Sequence, residues 1–135
     1  MSTVVLVVWL VQAASGVALL SRRVGGGRPS SLVVSHVGLS VAALGCWAAF
    51  VGTDAVVWGW AAFVLVTVVN AVGDTMLIGR SRRLSGRSGS FRADYGAAIG
   101  ATLRGRLPRR VTFHALFAGA AYFAALAACL VASLA

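Results

Sequence analysis

The sequence predicts an all-α, polytopic membrane protein. Its architecture is a four-helix transmembrane bundle in one domain, residues 1–135, with a short amphipathic cytoplasmic helix. Three observations predict this. The 135 residues are 59% hydrophobic and 11% charged, with a mean hydropathy of +0.90. A soluble domain is about 45–50% apolar and about 25% charged, so this chain has too few polar residues to cover a water-facing surface. Four apolar runs, about 3–21, 32–52, 55–79 and 111–134, are each near the roughly 20 residues a spanning helix needs. The arginines, finally, are confined to the two segments that follow the first and third runs.

The first run follows Met-Ser-Thr, with no positive residues ahead of it, so it does not have the form of a cleaved signal peptide. Backbone groups in lipid must bond within their own segment, which makes each run a helix. Arg22, Arg23 and Arg28 follow the first run, around Gly25–Gly26–Gly27. That glycine stretch reads as a turn, because no strand precedes it and no G-K-[ST] follows. Spans two and three are joined only by Gly52, Thr53 and Asp54, which predicts an antiparallel hairpin.

The basic loop 80–110 holds nine of the twelve arginines. By the positive-inside rule, both arginine-bearing segments are cytoplasmic and both termini face out. This places the chain in a bacterial inner (cell) membrane. Trp47, Trp58 and Trp60 then fall near the outer boundary, where indole rings anchor well. A net charge of +9 with no Lys and no Glu is accounted for by the anionic inner leaflet of the lipid bilayer, and no nucleic acid partner is implied. Within the loop, Phe91, Tyr95, Ile99 and Leu103 recur every four residues. This stripe predicts an amphipathic helix over 90–104, lying on the inner leaflet. Ser90 is its expected cap, and Asp94 suits the positive end of the helix dipole. A disordered basic segment held by charge is the alternative.

Polar residues inside the spans carry the functional question. At about 1.5 Å rise per residue, His36 lies about 6 Å inside the cytoplasmic boundary of span two, and His114 about 4–5 Å inside that of span four. On span three, Asp74 lies about 8 Å in and Asn70 about 14 Å. The chain's two histidines and its one acid within a span therefore share a layer. Ionisable side chains at such depths face the bundle interior and mark function by default. Small residues on the same faces, Ala118, Ala121 and Ala125 after His114 and Ser40 and Ala43 after His36, favour close helix approach.

Three readings follow. His36 and His114 are placed to be axial ligands of one b-type haem for electron transfer, with Asp74 orienting an imidazole from the second coordination sphere. The same groups suit a proton relay, or a metal ion held by His36 and His114 with Asp74, in a small transporter that would need a homodimer. They also suit plain hydrogen bonding between helices in a non-catalytic accessory or assembly subunit of a larger membrane complex. Cys46 and Cys129 both fall in the outer half. The expectation is free apolar thiols, with a disulfide as the alternative.

Two stretches carry a resemblance. Ser-His-Val-Gly-Leu-Ser-Val-Ala-Ala-Leu-Gly at 35–45 and Val-Thr-Phe-His-Ala-Leu-Phe-Ala-Gly-Ala-Ala at 111–121 resemble small four-helix membrane proteins of actinobacterial type. In each stretch the histidine opens an even-numbered helix. More distantly, the arrangement is similar to four-helix b-type membrane cytochromes, which carry two histidine pairs. Only the pair nearer the cytoplasm, His36 and His114, has a counterpart here, so the resemblance implies one haem at most. It does not extend to Asp74.

Overall fold

The computed structural model describes residues 1–21, 29–86 and 89–134. The Gly25–Gly27 turn and the arginines at 22, 23, 28 and 87 lie outside the described residues. Five helices follow in order: α1 Ser2–Leu20, α2 Ser31–Thr53, α3 Val56–Ser85, α4 Phe91–Leu103 and α5 Arg109–Leu134. Of these, α1, α2, α3 and α5 are long and apolar enough to cross a membrane, and each covers one of the four apolar runs. The helices extend beyond the runs chiefly at the basic end. α3 continues six residues past Gly79 through Arg80, Arg82 and Arg83, and α5 begins at Arg109. The segment 80–110 is therefore mostly helical rather than a loop.

Local chemistry sets the ends. α2 stops at Asp54, which takes the left-handed conformation (φ 54°) and donates its N–H to the Phe50 carbonyl. Asp is among the few residues that tolerate that conformation, and two residues suffice to start α3. Gly86 closes α3 in the same way, at φ 65°. Ser90 caps α4 as expected, its hydroxyl oxygen accepting from Ala93 N–H at 3.4 Å. α4 ends in a paired-bond motif: Gly105 N–H donates to the Thr102 carbonyl and Arg106 N–H to the Ala101 carbonyl. Such a motif needs a left-handed residue at its centre, and Gly105 supplies it at φ 66°.

The bundle is a square. α1 packs on α2 and α5, and α3 packs on α2 and α5, whereas α2 and α5 face each other across one diagonal and α1 and α3 across the other. Two cores fill it. The larger lies at the arginine-free end, where Val5, Trp9, Trp47 and Phe50 pack on Ala43, Ala62, Ala121, Ala125, Ala128 and Cys129. The Trp9 and Trp47 rings lie 4.9 Å apart, and the Trp47 and Phe50 rings meet edge to face at 5.3 Å. Trp47 is fully buried and donates its indole N–H to the Ser2 carbonyl at 3.0 Å. It is therefore a core residue, not the boundary anchor expected of it, because its side of α2 faces α1. Trp58 is exposed and Trp60 donates to the Ser133 hydroxyl. Both cysteines are free thiols, Cys129 buried against Gly59 and Cys46 half-buried.

The smaller core lies at the basic end and seats α4. Leu77 and Ile78 of α3 pack with Ala98 of α4 and Leu107. Asp94, Ala98 and Thr102 form the buried side of α4, while Phe91 and Leu103 are 68% and 67% exposed. The stripe read from the sequence is thus split: Phe91 and Leu103 at its ends face outward, while Ile99 packs against the smaller core. Small and polar residues face inward. Arg82 clamps α4 to α3, donating to the Asp94 carboxylate through Nε at 2.8 Å and through Nη2 at 2.5 Å.

Candidate functional site

His36 and His114 reach the bundle centre from the diagonal pair α2 and α5. Their rings meet edge to face, with centroids 6.3 Å apart and planes at 62°. Each imidazole also crosses to a neighbouring helix. His36 donates from Nδ1 to the Val69 carbonyl of α3 at 3.1 Å. A carbonyl only accepts, so Nδ1 carries the proton and Nε2 keeps its lone pair. The Ser15 hydroxyl of α1 donates to the Gln12 carbonyl at 2.7 Å. Its oxygen therefore accepts from His114 Nδ1, also 2.7 Å away, and His114 has the same tautomer.

Two glycines make the room. A Cβ on Gly73 of α3 would lie 3.3 Å from His36 Cε1, and one on Gly16 of α1 would lie 3.3 Å from His114 Cε1. Both distances are tighter than an ordinary van der Waals contact. Each imidazole is therefore seated in a notch where the opposite backbone comes close. The symmetry is one of role: α2 presses a histidine onto a glycine of α3, and α5 presses one onto a glycine of α1.

Gln12 completes the cluster. Its amide nitrogen donates to the His114 carbonyl at 3.1 Å. The same nitrogen stands 3.3 Å from Nδ1 and 3.4 Å from Nε2 of the ring, and with Nδ1 protonated only Nε2 can accept from it. Its Oε1 is buried and has no hydrogen-bond partner among the described residues. An unpaired acceptor of this kind costs about 1–3 kcal/mol, and such exceptions concentrate where a site binds or reacts. Gln12 and Ser15 were not among the expected site residues. The signal was present: Gln12 is the chain's one glutamine, and Gln12, Ser15 and Gly16 lie at i, i+3 and i+4 on one face of an apolar helix.

Asp74 does not join the histidines. Its carboxylate is turned instead toward the Tyr95 hydroxyl of α4. The reason is rotational. Gly73 faces His36, and the next residue is turned by about 100° around the helix, which points Asp74 at α4. Asn70, four residues earlier, shares the Asp74 side and makes no side-chain hydrogen bond among the described residues. The expected meeting of both imidazoles with the carboxylate therefore does not occur. No group of three or more His, Cys, Asp or Glu that could hold a metal ion is found among the described residues.

Outside the spans, charge shifts two groups. The Arg82 hydrogen bonds, helped by the Gly89 N–H, hold the Asp94 carboxyl below its ordinary value of 3.8. The Asp74 charge, with burial, pushes the Tyr95 hydroxyl above its ordinary 10.0.

No described protein family, curated protein or solved structure matches the chain. The site's chemistry therefore rests on its own geometry. It offers two imidazoles at the bundle centre, each oriented through Nδ1, each backed by a glycine, and neither paired with a carboxylate.

Proposed function

We propose that the chain is a four-span protein of a bacterial cell membrane, with both termini outside, and that it holds one b-type haem between His36 and His114 for electron transfer. One observation carries the reading: imidazoles from diagonal helices lie with their centroids 6.3 Å apart and Nδ1 already committed. A metal–imidazole bond is about 2 Å long, so two rings on opposite sides of one ion have centres roughly 6 Å apart. Nδ1 bonded to an acceptor is the usual means of orienting a ligating imidazole and raising its basicity.

His36 and His114 are the residues that would hold the group. Gly16 and Gly73 keep side chains of α1 and α3 clear of the imidazoles, and the neighbouring walls of the bundle are apolar. Haem bound there supplies one-electron chemistry. The chain's own part is to hold and insulate. Val69 and Ser15 fix the two rings, Gln12 ties α1 to the α5 backbone at His114, and the aromatic core behind them keeps water out from the opposite end.

A second reading is favoured by a different feature of the same site. Imidazoles seated in glycine notches are also good interhelical fasteners, which is all that an accessory or assembly subunit requires. Absorption separates the two. Full-length protein expressed with haem supplied and purified in detergent is expected to show a Soret band, and His36→Ala and His114→Ala each to abolish it. A colourless wild-type protein under those conditions overturns the haem reading and leaves the subunit reading. Co-purifying partners that survive both substitutions would then support it.

A further inference from the structure

A second site lies beside the histidines. At the basic end, α1 and α5 leave a groove of about 370 Å³ between them, lined by Ser15, Ala18, Arg109, Arg110 and Phe113. We propose that this groove binds the head group and upper acyl chain of one anionic phospholipid. The proposal stands apart from the haem reading, since nothing in it requires a cofactor.

Charge and shape each argue for that occupant. Arg109 and Arg110 are adjacent and exposed, and no acidic residue lines the groove. The one ion pair among the described residues, Arg82 with Asp94, is made elsewhere. Two guanidiniums with no protein counter-charge, at the boundary of four apolar helices, match a phosphate. Arginine binds that group through paired N–H donors. Below the arginines the lining is apolar, Ala18 and Phe113, apart from the Ser15 hydroxyl. Phe113 is 50% exposed, so this wall continues onto the apolar flank of α5. A free phosphate gains nothing from that wall, whereas an acyl chain lies along it.

The groove also touches the histidine site. Ser15 is both a lining residue and the acceptor for His114 Nδ1. A bound lipid would therefore sit one hydroxyl away from the imidazole pair and close the gap between α1 and α5 on that side.

The test uses the full chain in detergent, stripped of lipid and then offered phosphatidylglycerol, phosphatidylcholine or inorganic phosphate. Bound molecules are counted by native mass spectrometry. The expected result is one retained phosphatidylglycerol per chain. R109A/R110A should weaken it about thirtyfold, each arginine contributing roughly fivefold. R92A/R104A, which removes two exposed arginines away from the groove, should change retention by less than about twofold. Ala18→Trp, which fills the groove and keeps both arginines, should lose the lipid as R109A/R110A does. Undiminished binding in R109A/R110A, or an equal loss in R92A/R104A, overturns the site in favour of a diffuse basic surface. Equal retention of phosphatidylcholine overturns the anionic selectivity, and displacement by equimolar phosphate overturns the lipid in favour of a free anion.

Discussion

The two ends of the bundle are built on different principles. At the arginine-free end, Trp9, Trp47 and Phe50 interlock over a floor of alanines, and the polar atoms of the indoles are spent on backbone carbonyls. At the basic end, the helices meet through Gln12, Ser15, His36 and His114, with glycines opposite both rings and one buried oxygen unpaired. The first arrangement resists rearrangement because dispersion is dense and nothing polar is left over. The second holds directional groups at a fixed separation and tolerates an unsatisfied atom. Stability and chemistry are thus segregated along one bundle, the packed end serving as the rigid mount for the polar one.

Substitutions that strike one end at a time sharpen this contrast. The largest loss is expected from Trp47→Ala, which empties the middle of the aromatic core. A cost of about 3 kcal/mol is expected, the low end for a buried tryptophan because lipid rather than water competes for the exposed surface. It should be read as a lowered unfolding midpoint in mixed micelles, with any Soret band kept while the protein stays folded. Loss of the band at concentrations where the helices persist would show that the ends are not separable.

Gly73→Val is the reciprocal experiment. It drives a branched side chain into the space of the His36 imidazole and should cost about 1–3 kcal/mol by overpacking. Haem binding should fall further than stability. Gly38→Ala serves as its control, because a Cβ there meets nothing within 4 Å. The gain in helix propensity should leave that variant about 0.5–1 kcal/mol more stable. A Gly73→Val protein that binds haem normally would remove the notch from the account.

Ser15→Ala is a smaller step. It leaves His114 Nδ1 without its acceptor and should cost about 1 kcal/mol, with a shifted absorption maximum or midpoint potential, because ring orientation changes more than packing does. An unaltered spectrum would place Ser15 outside the site.

The smallest effect belongs to the α4 clamp. The folded Asp94 carboxyl lies below its ordinary 3.8. Its contribution is therefore fully present above that value and is lost as pH falls through the lower folded value. Amide hydrogen-exchange protection across Phe91–Leu103, taken relative to the intrinsic rate at each pH, should fall in that acid window and stay constant from about pH 5 to about pH 8. Asp94→Asn should show lower protection at neutral pH and no further loss of protection in acid. An acid response that survives in Asp94→Asn would have to arise elsewhere.

Much of this was legible in the residues. Run length and charge placement identify the four long helices, since a helix in an apolar solvent satisfies its backbone locally and needs no neighbour to define it. Ser90 and the four-residue spacing after it locate α4 to within a residue, because capping and periodicity are also local. The common layer of His36 and His114 follows from counting at a fixed rise.

What the residues did not determine is the rotation of each helix about its own axis. Asp74 lies one residue from the position that faces His36, and that single step turns it to Tyr95. Trp47 shares the depth of its boundary neighbours yet faces inward. Gln12 becomes a partner of His114 only because α1 and α5 are adjacent in the square. Depth is additive along a chain, whereas facing is fixed by the simultaneous packing of four helices, and only the tertiary structure contains that information.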